Sequence, residues 1–202
     1  MGFDREQLRR SPLVVAPDLL GSTLRVGDVA VRITEVEAYL GVGEDPGSHS
    51  FRGQTKRNAT MFGDAGHLYV YFTYGMHMCA NIVCSPSGTS GGVLIRAGEI
   101  VEGLDLARSR RTTSKSDVDL ARGPARLTVA LDIAMSDDGA DLATGRIRLD
   151  AAAPLSPESI ASGPRTGVSG PGGTSEFPWR FWIAGDPTVS PYKAAAVRPP
   201  RA

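Results

Sequence analysis

His67–Ala97 reads HLYVYFTYGMHMCANIVCSPSGTSGGVLIRA. Three runs in it, HLYVYFT (67–73), ANIVC (80–84) and GVLIRA (92–97), are dense in β-branched and aromatic residues. Such side chains favour strands. Turn signals separate the runs: Tyr74-Gly75 in the first gap and SPSGTSG in the second. The stretch therefore predicts strands joined by turns.

The same stretch is unusual in its aromatics. Tyr69, Tyr71 and Tyr74 are three of the chain's five tyrosines. A tyrosine offers a flat ring with a polar tip, suited to stacking on something flat while facing water. Nucleobases are flat, and stacking one on an aromatic side chain is worth about 1–3 kcal/mol. An aromatic core strand followed by a turn is the competing explanation. By the two-residue period of a strand, Tyr69 and Tyr71 share a face and Phe72 takes the other. Tyr69 and Phe72 are expected to pack the sheet.

Working outward, VAVRITEVEAYL (29–40) predicts a further strand. Period two places Glu35, Glu37 and Tyr39 on one face, together with Val29, Val31 and Ile33. Residues 41–58, GVGEDPGSHSFRGQTKRN, predict a long polar loop, either functional or disordered. Glu99–Arg111 reads as a helix with Ile100, Leu104 and Ala107 on one face, acids early and arginines late. Gly123-Pro124 opens a second helix running to about Leu131. Arg146–Leu149 and Arg180–Ile183 read as late strands. SGPRTGVSGPGGTS (162–175) reads as a flexible loop, and the tail from Lys193 as frayed. Turn-linked strands with helices clustered mid-chain predict an α+β fold rather than a doubly wound sheet. The 202 residues read as one domain with its core at about 13–190 and frayed termini.

Formal net charge is zero. Yet Phe51–Leu131 holds ten Lys/Arg against six Asp/Glu, so one face is expected to be basic enough to meet phosphates. A solvated helix face of mixed charge explains the count equally well. The N-terminal MGFDREQLRR lacks the apolar core of a signal peptide, and no run approaches a membrane span. Cys79 and Cys84 are the only cysteines and read as buried, reduced thiols of a cytoplasmic protein. No His or Cys spacing matches a metal site, and no Gly-rich phosphate loop or G-x-S-x-G motif occurs.

The chemistry candidates begin with Glu35 and Glu37. Carboxylates on an apolar strand face must be paired, hydrogen-bonded or beside a wet cavity, and such a place suits a general base. A strand end emerging into solvent is the alternative. Arg96, among apolar residues in GVLIRA, needs an acid, and Glu37 or Glu35 is a candidate for it. That pair would be structural or would orient a water. Asn81 reads a base edge or ties down a turn.

These segments occur in one order: ITEVEAYLG, EDPGSHSFRGQTKRNATMFG, HLYVYFTYGMHMCANIV, VLIRA, EGL, the GP-x-R-L helix and WRFWIAGDPTVS. Together they resemble the alkyladenine (3-methyladenine/methylpurine) DNA glycosylases of the non-helix-hairpin-helix type. The resemblance implies a single mixed α/β domain, a curved and mainly antiparallel sheet surrounded by helices. It implies a monomer that acts on double-stranded DNA containing damaged purines, needs no cofactor and no metal, and has no lyase step. Its place would be the cytoplasm, on the nucleoid in a bacterium. Glu37 is then the base that activates water, and Arg96 holds that carboxylate and the water, with the main chain near Thr166 as a further candidate. Tyr39, His49 and Tyr71 line the base pocket, and Asn81 stands against a guanine's exocyclic amine. Tyr74 is the wedge that fills the hole in the duplex, with Met76 beside it. The chain departs from the family pattern in an extra residue near Val42-Gly43 and in RAGEI. Two other functions are on the table: a catalytically silent DNA-binding protein, and a carbohydrate hydrolase using Glu35 with Glu37.

Overall fold

The computed structural model of the chain describes residues 2–73, 75, 77–86 and 88–196. Two short helices come first, α1 (Arg5–Leu8) and α2 (Pro12–Asp18), followed by β1 (Thr23–Val26) and β2 (Val29–Tyr39). Next are β3 (Leu68–Thr73), β4 (His77–Val83) and β5 (Gly92–Glu102), then α3 (Leu104–Arg110) and α4 (Pro124–Leu131). Three strands close the chain: β6 (Ile147–Asp150), β7 (Ile160–Gly163) and β8 (Arg180–Ile183). Among the described residues no helix is long and apolar enough to cross a membrane.

The fold is mixed α and β, built on one antiparallel sheet, as the turn-linked strands predict. Its main path runs β3-β4-β5-β2-β1-β6, and β8 joins β2 and carries β7. The long strand β2 has two partners in succession along one edge. Val29–Arg32 pairs with β1, and Glu35–Glu37 pairs with β8. The other edge of β2 pairs with β5 throughout. Glu35 and Glu37 are thus covered by a strand on each side.

Two irregularities in the β2–β5 ladder set the site. Ile33 pairs with Gly98 but Glu35 with Ala97, so Thr34 is an extra residue on β2. Val36 then pairs with Ile95, so Arg96 is an extra residue on β5. Each bulge changes which face the following side chains take. The core accordingly takes Val29, Val31 and Ile33 before the bulge, and Val36 and Ala38 after it. The expectation that Glu35, Glu37 and Tyr39 share a face with Val29, Val31 and Ile33 is corrected here. The three polar residues keep one face among themselves, but the bulge at Thr34 turns it away from the core. Unbroken period-two counting misses this because it assumes a ladder without insertions.

Other expectations need adjustment. Helix 99–111 is shorter, because Glu99–Glu102 continues β5 against Ala30–Arg32. Gly103 then turns the chain with φ of +71°, a left-handed conformation that only glycine adopts without strain. Ile100 is buried as a strand residue and Ala107 as a helical one, so the apolar spacing suited either reading. The predicted strand 80–84 begins earlier, at His77, where Thr73 pairs with it across the turn. The loop 41–58 is ordered. Asp45, Ser48, Ser50 and Asn58 are buried in it, and Asn58 Nδ2 donates to the carbonyls of His49 (2.9 Å) and Gly53 (3.1 Å).

The segment of α1 packs on the rest of the fold. Leu8 is buried, and Arg5 donates to Asp141 at 2.7 Å. Residues 162–175 are likewise held, by β7 and by the wholly buried Arg165. At the other end, the Lys193 carbonyl accepts from Gly167 N at 2.9 Å, and residues 197–202 of the tail lie outside the described residues. Phe72, expected to pack the sheet, is 47% exposed. Part of the mid-chain positive charge is paired locally: Arg108 pairs with Asp105 and Asp117, and Arg111 and Arg126 both pair with Asp119. Cys79 and Cys84 are buried with free thiols.

Candidate active site

A cavity of about 440 Å³ opens on the face of the sheet that carries Glu37. This lies in the range of small-molecule pockets. Strand β2 supplies Glu37 and Tyr39 to its wall, β3 supplies Tyr69 and Tyr71, and β4 supplies His77, Cys79 and Asn81. Leu94 and Arg96 come from β5, His49 from the loop 41–58, and Thr166 from the loop after β7. The structure therefore brings together Glu37, Arg96, Tyr39, His49, Tyr71, Asn81 and Thr166, seven residues singled out in the sequence. Tyr74 and Met76 lie outside the described residues.

Glu37 is wholly buried. Its Oε1 accepts from Thr166 N at 2.6 Å, and its Oε2 accepts from the Tyr39 hydroxyl at 2.8 Å. Arg96 Nη1 stands 3.3 Å from Oε1. Burial and the charge of Glu37 hold the Tyr39 phenol well above its ordinary range, which keeps it protonated and donating. A carboxylate in this setting is fixed in orientation and faces a cavity, the arrangement a general base needs.

Glu35, two residues earlier on the same face, is committed elsewhere. Its Oε1 accepts from Arg96 Nε (3.0 Å), Arg180 Nε (2.6 Å) and Ser190 Oγ (3.0 Å). Its Oε2 accepts from Ser190 N at 2.7 Å. Four donors meet two oxygens, and Glu35 is absent from the cavity wall. It serves to hold Arg96, whose Nε it takes while Nη1 is left facing Glu37. Burial opposes the Arg96 charge, but Glu37 and Glu35 outweigh it and raise the guanidinium. The two carboxylates balance Arg96 and Arg180, so the buried cluster is neutral overall. This arrangement removes the two-carboxylate hydrolase, because Glu35 offers no free oxygen to a substrate.

The aromatic wall has its own order. Tyr69 and Tyr71 stack with centroids 5.4 Å apart and planes at 29°. The His49 ring meets Tyr71 edge-on at 4.5 Å. His49 Nδ1 lies 3.1 Å from the Tyr69 hydroxyl. Burial of the ring and the nearby Arg57 charge lower the His49 pKa, although the residue as a whole is exposed. The imidazole is thus harder to protonate than an ordinary histidine. Burial pushes the Tyr69 phenol up to about 12. Asn81 donates from Nδ2 to the Tyr69 carbonyl at 3.3 Å, which fixes the amide on the cavity wall. Burial also raises the Cys79 thiol, so this wall residue carries no thiolate at neutral pH.

Several participants escape the sequence reading. Tyr69, assigned to sheet packing, also orients His49. Arg180 and Ser190 complete the cradle of Glu35. Arg165 and Asp45 form a buried bidentate pair at 2.6 and 2.7 Å beside the cavity. The one available signal for that pair was an arginine between Pro164 and Thr166 in an otherwise small-residue loop.

The chain is similar to known proteins over almost its whole length. The model of the methylpurine-DNA glycosylase family matches residues 6–187. A protein of Leifsonia xyli, provisionally named 3-methyladenine DNA glycosylase, is 57% identical over 94% of this chain and 92% of its own length. Proteins under the same provisional name are 53% identical in Streptomyces avermitilis, over 96% of this chain and 93% of their own, and in Nocardia farcinica, over 97% of each. The chain belongs to the methylpurine-DNA glycosylase family.

Proposed function

We propose that this chain is a DNA glycosylase that cleaves the N-glycosidic bond of alkylated or deaminated purines in duplex DNA, using a water activated by Glu37. The observation that carries the proposal is the buried Glu37 carboxylate, held by Thr166 N, Tyr39 and Arg96 on the wall of an aromatic cavity. The target nucleotide leaves the stack and enters the cavity. Extrusion costs a few kcal/mol and is easiest for a damaged or mispaired base. Tyr39, Tyr71 and His49 sandwich the base. A cationic alkylated purine gains further from the electron-rich ring faces. Asn81 excludes a guanine carrying its exocyclic amine.

Glu37 then takes a proton from water as the oxygen attacks C1′ and the C1′–N bond breaks. The purine departs with the bonding electrons. A cationic base leaves as a neutral molecule and needs no acid; a neutral purine leaves as its anion and takes up a proton from water. Arg96 steadies the carboxylate, and Thr166 Oγ1, buried without a hydrogen-bond partner among the described residues, adds a polar group to the same wall. No lysine takes part, so the DNA backbone stays intact. Tyr74 and Met76 fill the space the nucleotide vacates. The protein works as a monomer in the cytoplasm and without a cofactor.

The test is incubation with duplex oligonucleotides carrying ethenoadenine, hypoxanthine or an alkylated purine. The expected result is free base and alkali-labile abasic DNA, with no strand break before alkali. Failure to release any of these bases would overturn the proposal.

A further inference from the structure

Arg165 has no place in the chemistry above, yet it is among the largest wholly buried side chains. Every donor of its guanidinium is used. Nη1 donates to the Ala38 carbonyl at 2.9 Å and to Asp45 Oδ2 at 2.6 Å. Nη2 donates to Asp45 Oδ1 and to the Gly172 carbonyl, both at 2.7 Å, and Nε reaches the same carbonyl at 3.2 Å. The guanidinium carbon also lies over two rings, 4.5 Å from the Tyr39 centroid and 5.1 Å from that of Trp179. Asp45 has further bonds, accepting from Leu40 N at 3.2 Å and Gly47 N at 2.8 Å.

Three segments meet at this point: the end of β2, the loop that presents His49, and the loop that presents Thr166. Both uncharged donors to Glu37 are fixed by it. Tyr39 stacks on the guanidinium, and Thr166 is the next residue in the chain. The neighbourhood is built for close approach. A Cβ on Gly47 would stand 2.6 Å from Arg165 Nη2, and one on Gly172 would stand 2.5 Å from Gly47 N.

From this convergence we infer that Arg165, clamped by Asp45, is a positioning residue that sets the aim of Glu37 without touching substrate. The inference rests on the glycosylase reading of the site. A buried ion pair is poor evidence for stability, because desolvation offsets most of the attraction. Fixing geometry is the role left to it. Lysine cannot substitute, since a point charge with three donors spans neither the carboxylate fork nor two carbonyls, and lacks the flat faces. Misplacing a catalytic group by about 1 Å costs about a hundredfold in rate.

The experiment compares wild type, Arg165→Lys and Asp45→Asn, each verified as folded by circular dichroism. Single-turnover release of ethenoadenine is measured, and affinity is measured on a duplex whose ethenoadenine sits on a hydrolysis-resistant 2′-fluoro sugar. The expected result is at least a tenfold slower release by Arg165→Lys and at least threefold by Asp45→Asn, with affinity within threefold of wild type. A purely structural role would not produce that split between rate and binding. Release within twofold of wild type by either folded variant, or equal losses in rate and affinity, would overturn the inference while leaving the glycosylase reading intact. Failure of both variants to fold would also overturn it, since the pair would then belong to the fold and not to the site. An inactive wild type would overturn both.

Discussion

Glu35 and Glu37 differ by two positions on one strand, and exchanging each for glutamine separates scaffold from chemistry. In Glu35→Gln the amide keeps one oxygen. Turned toward Arg96, Arg180 and Ser190 Oγ, that oxygen keeps three donors, and the new NH2 then faces Ser190 N, itself a donor. One bond is lost, two donors confront each other, Arg180 loses its carboxylate partner and Arg96 is left with Glu37. Breaking a buried ion pair by removing one partner costs about 3–5 kcal/mol. For a chain of this length each kcal/mol moves Tm by about 2–4 °C, so a fall of about 6–20 °C is expected.

In Glu37→Gln the amide oxygen still accepts from Thr166 N, the NH2 turns Tyr39 into an acceptor, and Arg96 keeps Glu35. The expected stability loss is smaller, about 1–3 kcal/mol. The order reverses for catalysis. Losing the general base costs about 10²–10⁴ in rate, whereas Glu35→Gln acts only through the aim of Arg96. Urea denaturation and single-turnover base release on the same preparations read both axes. Equal stabilities, or a greater loss of base release in Glu35→Gln than in Glu37→Gln, would refute the division of roles.

Two further outcomes are expected. Gly103→Ala forces a left-handed residue and brings its Cβ to 2.2 Å from the Asp28 carbonyl oxygen, so urea denaturation should show a loss of more than about 1 kcal/mol. Because the folded His49 is harder to protonate than the ordinary histidine at 6.5, the unfolded chain takes up the proton first as the pH falls. Its contribution to stability is therefore full above that value and erodes below it; in Arg57→Gln an NMR titration of the His49 ring should move upward, and an unmoved titration would contradict the Arg57 contribution.

Much of this fold was legible in the sequence. Strands β2, β3, β5, β6 and β8 stand close to where β-branched and aromatic runs predicted them, and α4 begins at Pro124. What escaped were features created by pairing. Thr34 and Arg96 look like ordinary strand residues, and only the partner strand makes them bulges. The insertion at Thr34 turns Glu37 away from the core and into the cavity. The end of β5 escaped because Ile100, Leu104 and Ala107 satisfy a helical period, while the breaking signal was the single glycine at 103. The Arg165–Asp45 pair escaped because its members are 120 residues apart and each sits in a Gly-rich loop. Among the described residues, the seven site residues identified by motif line one cavity, whereas the residues that hold them were visible only in three dimensions.

The most direct measurement of the proposed chemistry is single-turnover release of a damaged purine from duplex DNA by wild type and by Glu37→Gln, with lesion affinity measured alongside. Release by wild type and a loss of at least a hundredfold in the folded variant, with lesion-specific binding retained, is the expected result. Release at the wild-type rate by Glu37→Gln would contradict the claim that this carboxylate activates the water.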